Sequence, residues 1–369
     1  MTNRPGGDPA AMIPTDRPAH GTPFPAVATV STSGCTRLVW QAPADMPPRN
    51  IREVLRHELG LSGTVIRRLR QPGLLTIDGR PVRVVDRIGA GSLLEAWMAE
   101  PDDSTVAPEP IPIDILHEDE HLLAIDKTDL MPVHPSALHQ SGTLANAVAW
   151  HFTRQGAPRR VRPVTRLDRN TSGVTLFART AHAQHDLARQ ADAGLFDKRY
   201  LGIAVGHWHD AAGTIRLPIR RKSASLIERE THPDGDESIT HFEVLARFTI
   251  PPPRMPSSGD EPDPLAVTLL RFRLETGRTH QIRVHCQACG HPLLGDTLYG
   301  GPAWQGLAGQ ALHCDQLAFL HPVSREPMCI HSRRKAPLFA LLASAGITPP
   351  AFVQPQLGRA LPDAAGPTR

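Results

Sequence analysis

The sequence predicts an α+β protein in two folded units, a small N-terminal module and a larger unit built on a sheet with flanking helices. Three observations carry this reading. The chain has 369 residues, well above the roughly 150 residues of a common single domain. Proline-rich stretches divide it, VAPEPIPI (Val106 to Ile113) most clearly. Between them, runs of β-favouring residues alternate with helical periods. Hydrophobic residues make up 40% and charged residues 21%, a balance that excludes a wholly disordered or fibrous chain.

Residues 1–35 hold repeated Pro and Gly with neither period and are expected to be a disordered lead-in. The module is expected over 36–100. It opens with TRLVWQAP, followed by a helix from Asn50 through Leu59 that Gly60 ends, and then a second helical segment, SGTVIRRLRQ. LLTIDGRPVRV carries Asp78-Gly79 between β-favouring residues and reads as a hairpin. A linker spans 101–113, the larger unit 114–346 and a Pro-rich tail 347–369.

In the larger unit ILHEDEHLLAIDK gives two strands around a polar turn, TLANAVAWHF a helix, and VTLFART a strand. AHAQHDLARQADAG is a helix with Thr180 as its cap and Gly194 at its end. KRYLGIAVG, SITHFEVLARF and LAVTLLRFRLE are strands, so the sheet is large. PPPRMPSSGDEPDP, between the last two, reads as an exposed loop insertion. HQIRVHCQAC is a short helix that Thr279 could cap and Gly290 could end.

Forty basic against 37 acidic residues leave a net charge of only +3. Any affinity for nucleic acid must therefore come from local patches. Such a patch lies between Arg49 and Ala90, where nine arginines face four acids. Arg52 and Arg56 sit four apart on the first helix, and Arg67, Arg68 and Arg70 cluster on the second, so a two-helix basic surface is available for phosphates. A merely solvated arginine-rich face is the plainer alternative. Five cysteines, an odd number, suit a reducing compartment better than a disulfide framework. With no apolar leader and no run near the ~18 residues of a membrane span, the chain is expected to be cytoplasmic, without a membrane partner.

The strongest chemical motif is PVTRLDRNTSGVTLFAR, Pro163 to Arg179. Asp168 lies between Arg166 and Arg169, ahead of a small-residue turn and an apolar strand. Flanking cations favour its ionised form and keep it available as a nucleophile, although a surface salt-bridge cluster would read the same way.

TRLDRNTSGVTLFAR resembles the signature of the RluA-type RNA pseudouridine synthases, usually HRLDRDTSGLLLFAK. The family's later blocks follow in order. KRYLGIAVG is similar to its K-x-Y-x-A-x-V-x-G strand, and LETGRTHQIRVHCQACGHPLLGDTLYGG to its L-x-T-G-R-x-H-Q-I-R-x-H…G-x-P-I-x-G-D-x-x-Y-G block. ILHEDEHLLAIDKTDLMPVHPS fits the family's start, so the resemblance covers about residues 36 to 345. The module resembles the αL-motif RNA-binding unit that precedes many RNA-modifying domains.

The resemblance implies a mixed, mostly antiparallel central sheet with flanking helices and a basic cleft. It implies isomerisation of uridine in structured RNA, ribosomal RNA ahead of transfer RNA, with no cofactor and no metal. Asp168 then corresponds to the catalytic carboxylate, acting by attack on the anomeric carbon or by promoting a glycal. Arg166 corresponds to the residue that fills the space of the extruded base. Arg283 corresponds to the arginine that grips the carboxylate through a bidentate fork, and Tyr200 to the tyrosine against the uracil ring, placed to stack on it and to take part in removing the proton from carbon 5.

Thr165 stands where the family usually has His, Asn170 where it has Asp, and Thr128 where it has Pro. These departures bear on RNA preference more than on the chemistry. Two rival readings remain. One is zinc held by Cys286 and Cys289 with His313, Cys314 and Cys329. The other is an RNA-binding protein with an inactive synthase-like domain, although a pure binder has no need of a carboxylate facing an anionic ligand.

Overall fold

The computed structural model describes residues 28–32, 35–61, 63–99, 105–136, 140–251 and 264–352. The lead-in up to Val27, the insertion over 252–263 and the tail from 353 lie outside the described residues.

The N-terminal unit begins earlier than the expected Thr36. The strand Ala28–Thr32 pairs antiparallel with Cys35–Gln41, which pairs in turn with Leu93–Ala99. Asn50 caps the helix Ile51–His57 by accepting from the Arg52 N–H at 2.9 Å. That helix buries Ile51, Val54 and Leu55 and so turns Arg52 and Arg56 outward. The helix Gly63–Arg68 buries Ile66, with Leu69 just beyond it, and exposes Arg67, Arg68 and Arg70. Asp78 (φ 51°) and Gly79 (φ 76°) make the two-residue hairpin turn between Leu75–Ile77 and Arg80–Pro81, because a turn with both central residues at positive φ matches the right-handed twist of paired strands.

The described residues of the larger unit build a ten-stranded sheet, beside a short two-stranded one of Ile219–Arg221 and Arg229–Thr231. The main path of the ten-stranded sheet runs Ala212–Arg216, Ile239–Ile250, Leu265–Leu274, Asp197–Val205, Leu312–Leu320, Ser172–Ala178, Leu122–Lys127 and Ile115–Glu118. Arg162–Pro163 and Pro327–His331 pair alongside. All pairings are antiparallel except Ser172–Ala178 with Leu312–Leu320. The sheet is thus mixed and mostly antiparallel. At the parallel contact Gly173 (φ 108°) lies so close to the Cys314 carbonyl that a Cβ would collide with it, so glycine is required there.

The helices Leu144–Arg154 and Ala181–Asp192 pack their apolar residues into the same core. Thr143 forms a capping box with Asn146, and Thr180 caps by accepting from the Ala183 N–H at 3.1 Å. The first residues of the expected C-terminal tail are tied down: the Pro350 carbonyl accepts from Arg334, whose guanidinium also lies 4.3 Å from the Phe352 ring centre.

Candidate active site

Two segments converge on a cavity of ≈ 510 Å³. The first is the loop between Arg162–Pro163 and Ser172–Ala178, which carries Asp168. Thr165, in place of the family's usual His, ties this loop to the strand: its Oγ1 accepts from the Leu176 N–H at 2.9 Å, while its own N–H bonds the Leu176 carbonyl. The Thr171 N–H closes a turn on the Asp168 carbonyl at 3.0 Å. Lys127 braces the loop from below. Its buried Nζ donates to the carbonyls of Thr128, Met131 and Arg169 at 2.8, 2.8 and 3.1 Å.

The second segment is the helix Gln281–Ala288 with the turn before it. The expected Thr279 cap is not formed. His280 is the N-cap residue, in the left-handed region (φ 60°, ψ 18°), and its side chain makes no capping bond. The Gln281 side-chain oxygen instead accepts from the Arg278 N–H at 3.0 Å and from the Thr276 hydroxyl at 2.8 Å. That bonding secures the turn and frees the His280 ring to face the cavity.

The cavity brings together Asp168, Arg166, Tyr200 and Arg283. Asp168 is its one carboxylate among the described lining residues, and the cations there are Arg166, Arg169, Lys198, Arg278 and Arg283. Arg283 donates through Nη1 to Asp168 Oδ2 at 3.3 Å. Its bidentate fork, expected on Asp168, closes on Asp296 instead, with Nε and Nη2 at 2.8 and 2.7 Å from the two carboxylate oxygens. The reason is geometric: Nε and Nη2 point toward the loop after the helix, which leaves only Nη1 for the cavity. Burial opposes the Arg283 charge, but the Asp296 fork and Asp168 outweigh it and raise its pKa.

Tyr200 sits where the pairing between Asp197–Val205 and Leu312–Leu320 shifts register, at Arg199/Tyr200. Such an irregularity re-aims a side chain beside a site. Burial, then the Cys314 thiol and Asp168, push the Tyr200 phenol well above its ordinary pKa, so it stays protonated at neutral pH. Arg166 is exposed at the rim and has no ion-pair partner among the described residues. Arg52, Arg56, Arg67, Arg68 and Arg70 are not in this cavity; they are exposed on the N-terminal unit.

Asp296, Tyr299, His280 and Lys127 are site residues that motif reading does not assign. The first three stand within the quoted LETGRTHQ…GDTLYGG block, so the block itself marks them, though not their partners. Cys286 is buried and Cys289 exposed, and no group of three His, Cys, Asp or Glu suited to a metal occurs among the described residues. Among those residues no helix is long and apolar enough to cross a membrane.

A family model described as RNA pseudouridylate synthase matches residues 121–288. An uncharacterized RNA pseudouridine synthase of Bacillus subtilis, YjbO, is 40% identical over 277 residues, covering 74% of this chain and 92% of the relative. A ribosomal large subunit pseudouridine synthase D of Xanthomonas campestris is 36% identical over 265 residues, 68% of this chain and 75% of its own. In fold, the solved human RNA pseudouridylate synthase domain containing 4 matches 64% of this chain and 95% of its own, with a TM-score of 0.50 at 20% identity.

Proposed function

The chain belongs to the RNA pseudouridine synthase family, and from that premise we propose that Asp168 is the carboxylate that opens the glycosidic bond of a uridine drawn into the cationic cavity. The observation that carries this is that, among the described lining residues, one carboxylate stands in a hollow with five cationic side chains. Phosphates are attracted there, and one anionic oxygen is kept for the sugar.

Pseudouridine formation breaks the bond from the anomeric carbon to N1 of uracil and rejoins that carbon to C5. By the nucleophilic route an Asp168 oxygen bonds to the anomeric carbon as uracil leaves. The base turns, C5 displaces the carboxylate, and the C5 proton is lost as N1 gains one. By the glycal route the same carboxylate instead removes the C2′ proton as uracil leaves, and returns it to C2′ when C5 bonds to the anomeric carbon. Both need one carboxylate and no redox partner.

Arg283 supports this role by placing one N–H on Asp168 while Asp296 anchors the rest of the guanidinium. Tyr200 offers a buried ring for the uracil face. Its raised pKa argues for a protonated phenol that stacks and donates rather than a phenolate base. Arg166, long, planar and unpaired at the rim, suits the space a flipped base vacates.

The five exposed arginines of the N-terminal unit form the phosphate-binding face of an αL-motif module. The substrate is ribosomal RNA ahead of transfer RNA, a choice supported by the Xanthomonas relative's name. The free thiols suit the cytoplasm. Mapping pseudouridines in ribosomal and transfer RNA from cells with and without this protein tests the reading. Loss of defined ribosomal pseudouridines is expected; unchanged maps in both RNAs would refute it.

A further inference from the structure

We propose that His280 is a positioning residue for Asp168, a neutral imidazole that aims its Nε2 proton at carboxylate oxygen Oδ2 and thereby leaves Oδ1 as the oxygen presented to the sugar. The inference rests on Asp168 being the reacting carboxylate.

The tautomer follows from the partners. The Arg229 N–H donates to the Tyr299 hydroxyl at 2.9 Å. That hydroxyl also lies 2.8 Å from His280 Nδ1. That hydroxyl has one proton to place, and among the described residues Nδ1 is the acceptor within its reach, so we assign Nδ1 as the unprotonated nitrogen and the hydrogen to Nε2. Nε2 faces Asp168 Oδ2 at 3.9 Å. This is beyond a hydrogen bond, and a small closure on substrate binding would form one, as catalytic bonds tighten in the occupied state.

Burial lowers the His280 pKa ahead of opposing contributions from Asp168 and Asp296, with Arg283 and Arg229 adding to the lowering. A neutral ring at neutral pH follows. The left-handed backbone at His280, rare for a residue with a Cβ, is the strain that turns this ring into the cavity. Arg283 Nη1 addresses the same Oδ2, while Oδ1 accepts no hydrogen bond from the described residues. Both donors thus converge on one oxygen and leave the other with its lone pairs free.

The test has two readouts. In wild-type protein labelled with ¹⁵N, the His280 ring is expected to show a protonated Nε2 and an unprotonated Nδ1, with the preference lost in Tyr299→Phe. A proton on Nδ1 in the wild type would overturn the proposal. In single turnovers followed by tritium release from C5-labelled total RNA of a strain lacking the protein, His280→Leu should slow the chemical step about ten- to hundredfold at unchanged RNA affinity. His280→Gln, which keeps an N–H near the Nε2 position, should recover most of it. Equal loss in both variants, or loss in affinity alone, would overturn the proposal. Asp168→Asn run alongside separates the failures: if it stays active the reading of Asp168 falls, whereas an inactive Asp168→Asn with a fully active His280→Leu removes only the role of His280.

Discussion

Replacing Asp296 by Asn should destabilise the larger unit far more than the same change at Asp168, although both carboxylates touch Arg283. Asp296 is 2% exposed and holds the guanidinium through two bonds of 2.7 and 2.8 Å, while Asp168 makes one of 3.3 Å with its side chain 25% exposed. Breaking a buried pair by removing one partner costs about 3–5 kcal/mol, because the remaining charge is left without compensation. Asn keeps one acceptor, so about 3 kcal/mol is expected at Asp296. A partly exposed single bond contributes about 1 kcal/mol or less. Hydrogen exchange of the Gln281–Ala288 amides reads this locally: a loss of about 3 kcal/mol accelerates exchange roughly 100-fold where opening of this helix limits it. Asp168→Asn should change it by less than about tenfold. Equal acceleration in the two variants would refute the claim that Asp296, and not Asp168, anchors Arg283.

Three further outcomes are expected. His313 is enclosed between the Ser172 and Ser332 hydroxyls at 2.8 and 2.7 Å, and burial pushes its pKa down to about 3. The unfolded chain therefore binds the extra proton first, so this stability is fully present above about pH 6.5 and is lost as pH falls toward 3, by up to about 5 kcal/mol; urea midpoints against pH should flatten over this window in His313→Gln, and an unchanged slope would contradict the assignment. Changing Arg52, Arg56, Arg67 and Arg68 to Gln should reduce the slope of log affinity against log salt by roughly 0.7–0.9 for each phosphate no longer neutralised, and an unaltered slope in RNA titrations would show that the N-terminal unit does not meet phosphate. Lys127→Met leaves three carbonyls without their donor and should cost about 2 kcal/mol net of the charge no longer buried, read as faster exchange of the Thr171 N–H; unaltered exchange would show that Lys127 does not brace the loop.

Much of the molecule is legible in the sequence because its motifs are local. The Asp78-Gly79 turn, the Thr180 cap and the strands around Asp168 and Tyr200 follow from residue types a few positions apart, and the structure forms each. Partner choice is less legible. An arginine has five donors, and nothing in H-Q-I-R reveals that two of them turn to Asp296, thirteen residues on. The left-handed His280 is hidden for a related reason. Thr279 is the better capping residue by type, but the N-cap position falls on His280, and the Gln281 side chain ties the preceding turn at Thr276 and Arg278. The strand Ala28–Thr32 escapes sequence reading although Thr29, Val30 and Thr32 favour strands, because the Pro- and Gly-rich residues before it dominate the reading of the whole lead-in.

The most direct measurement is the yield of pseudouridine from Asp168→Asn beside its affinity for the same RNA. No detectable product is expected, with binding close to that of the wild type, since the arginines proposed to meet phosphate are untouched. Product formed at the wild-type rate would contradict the role of Asp168.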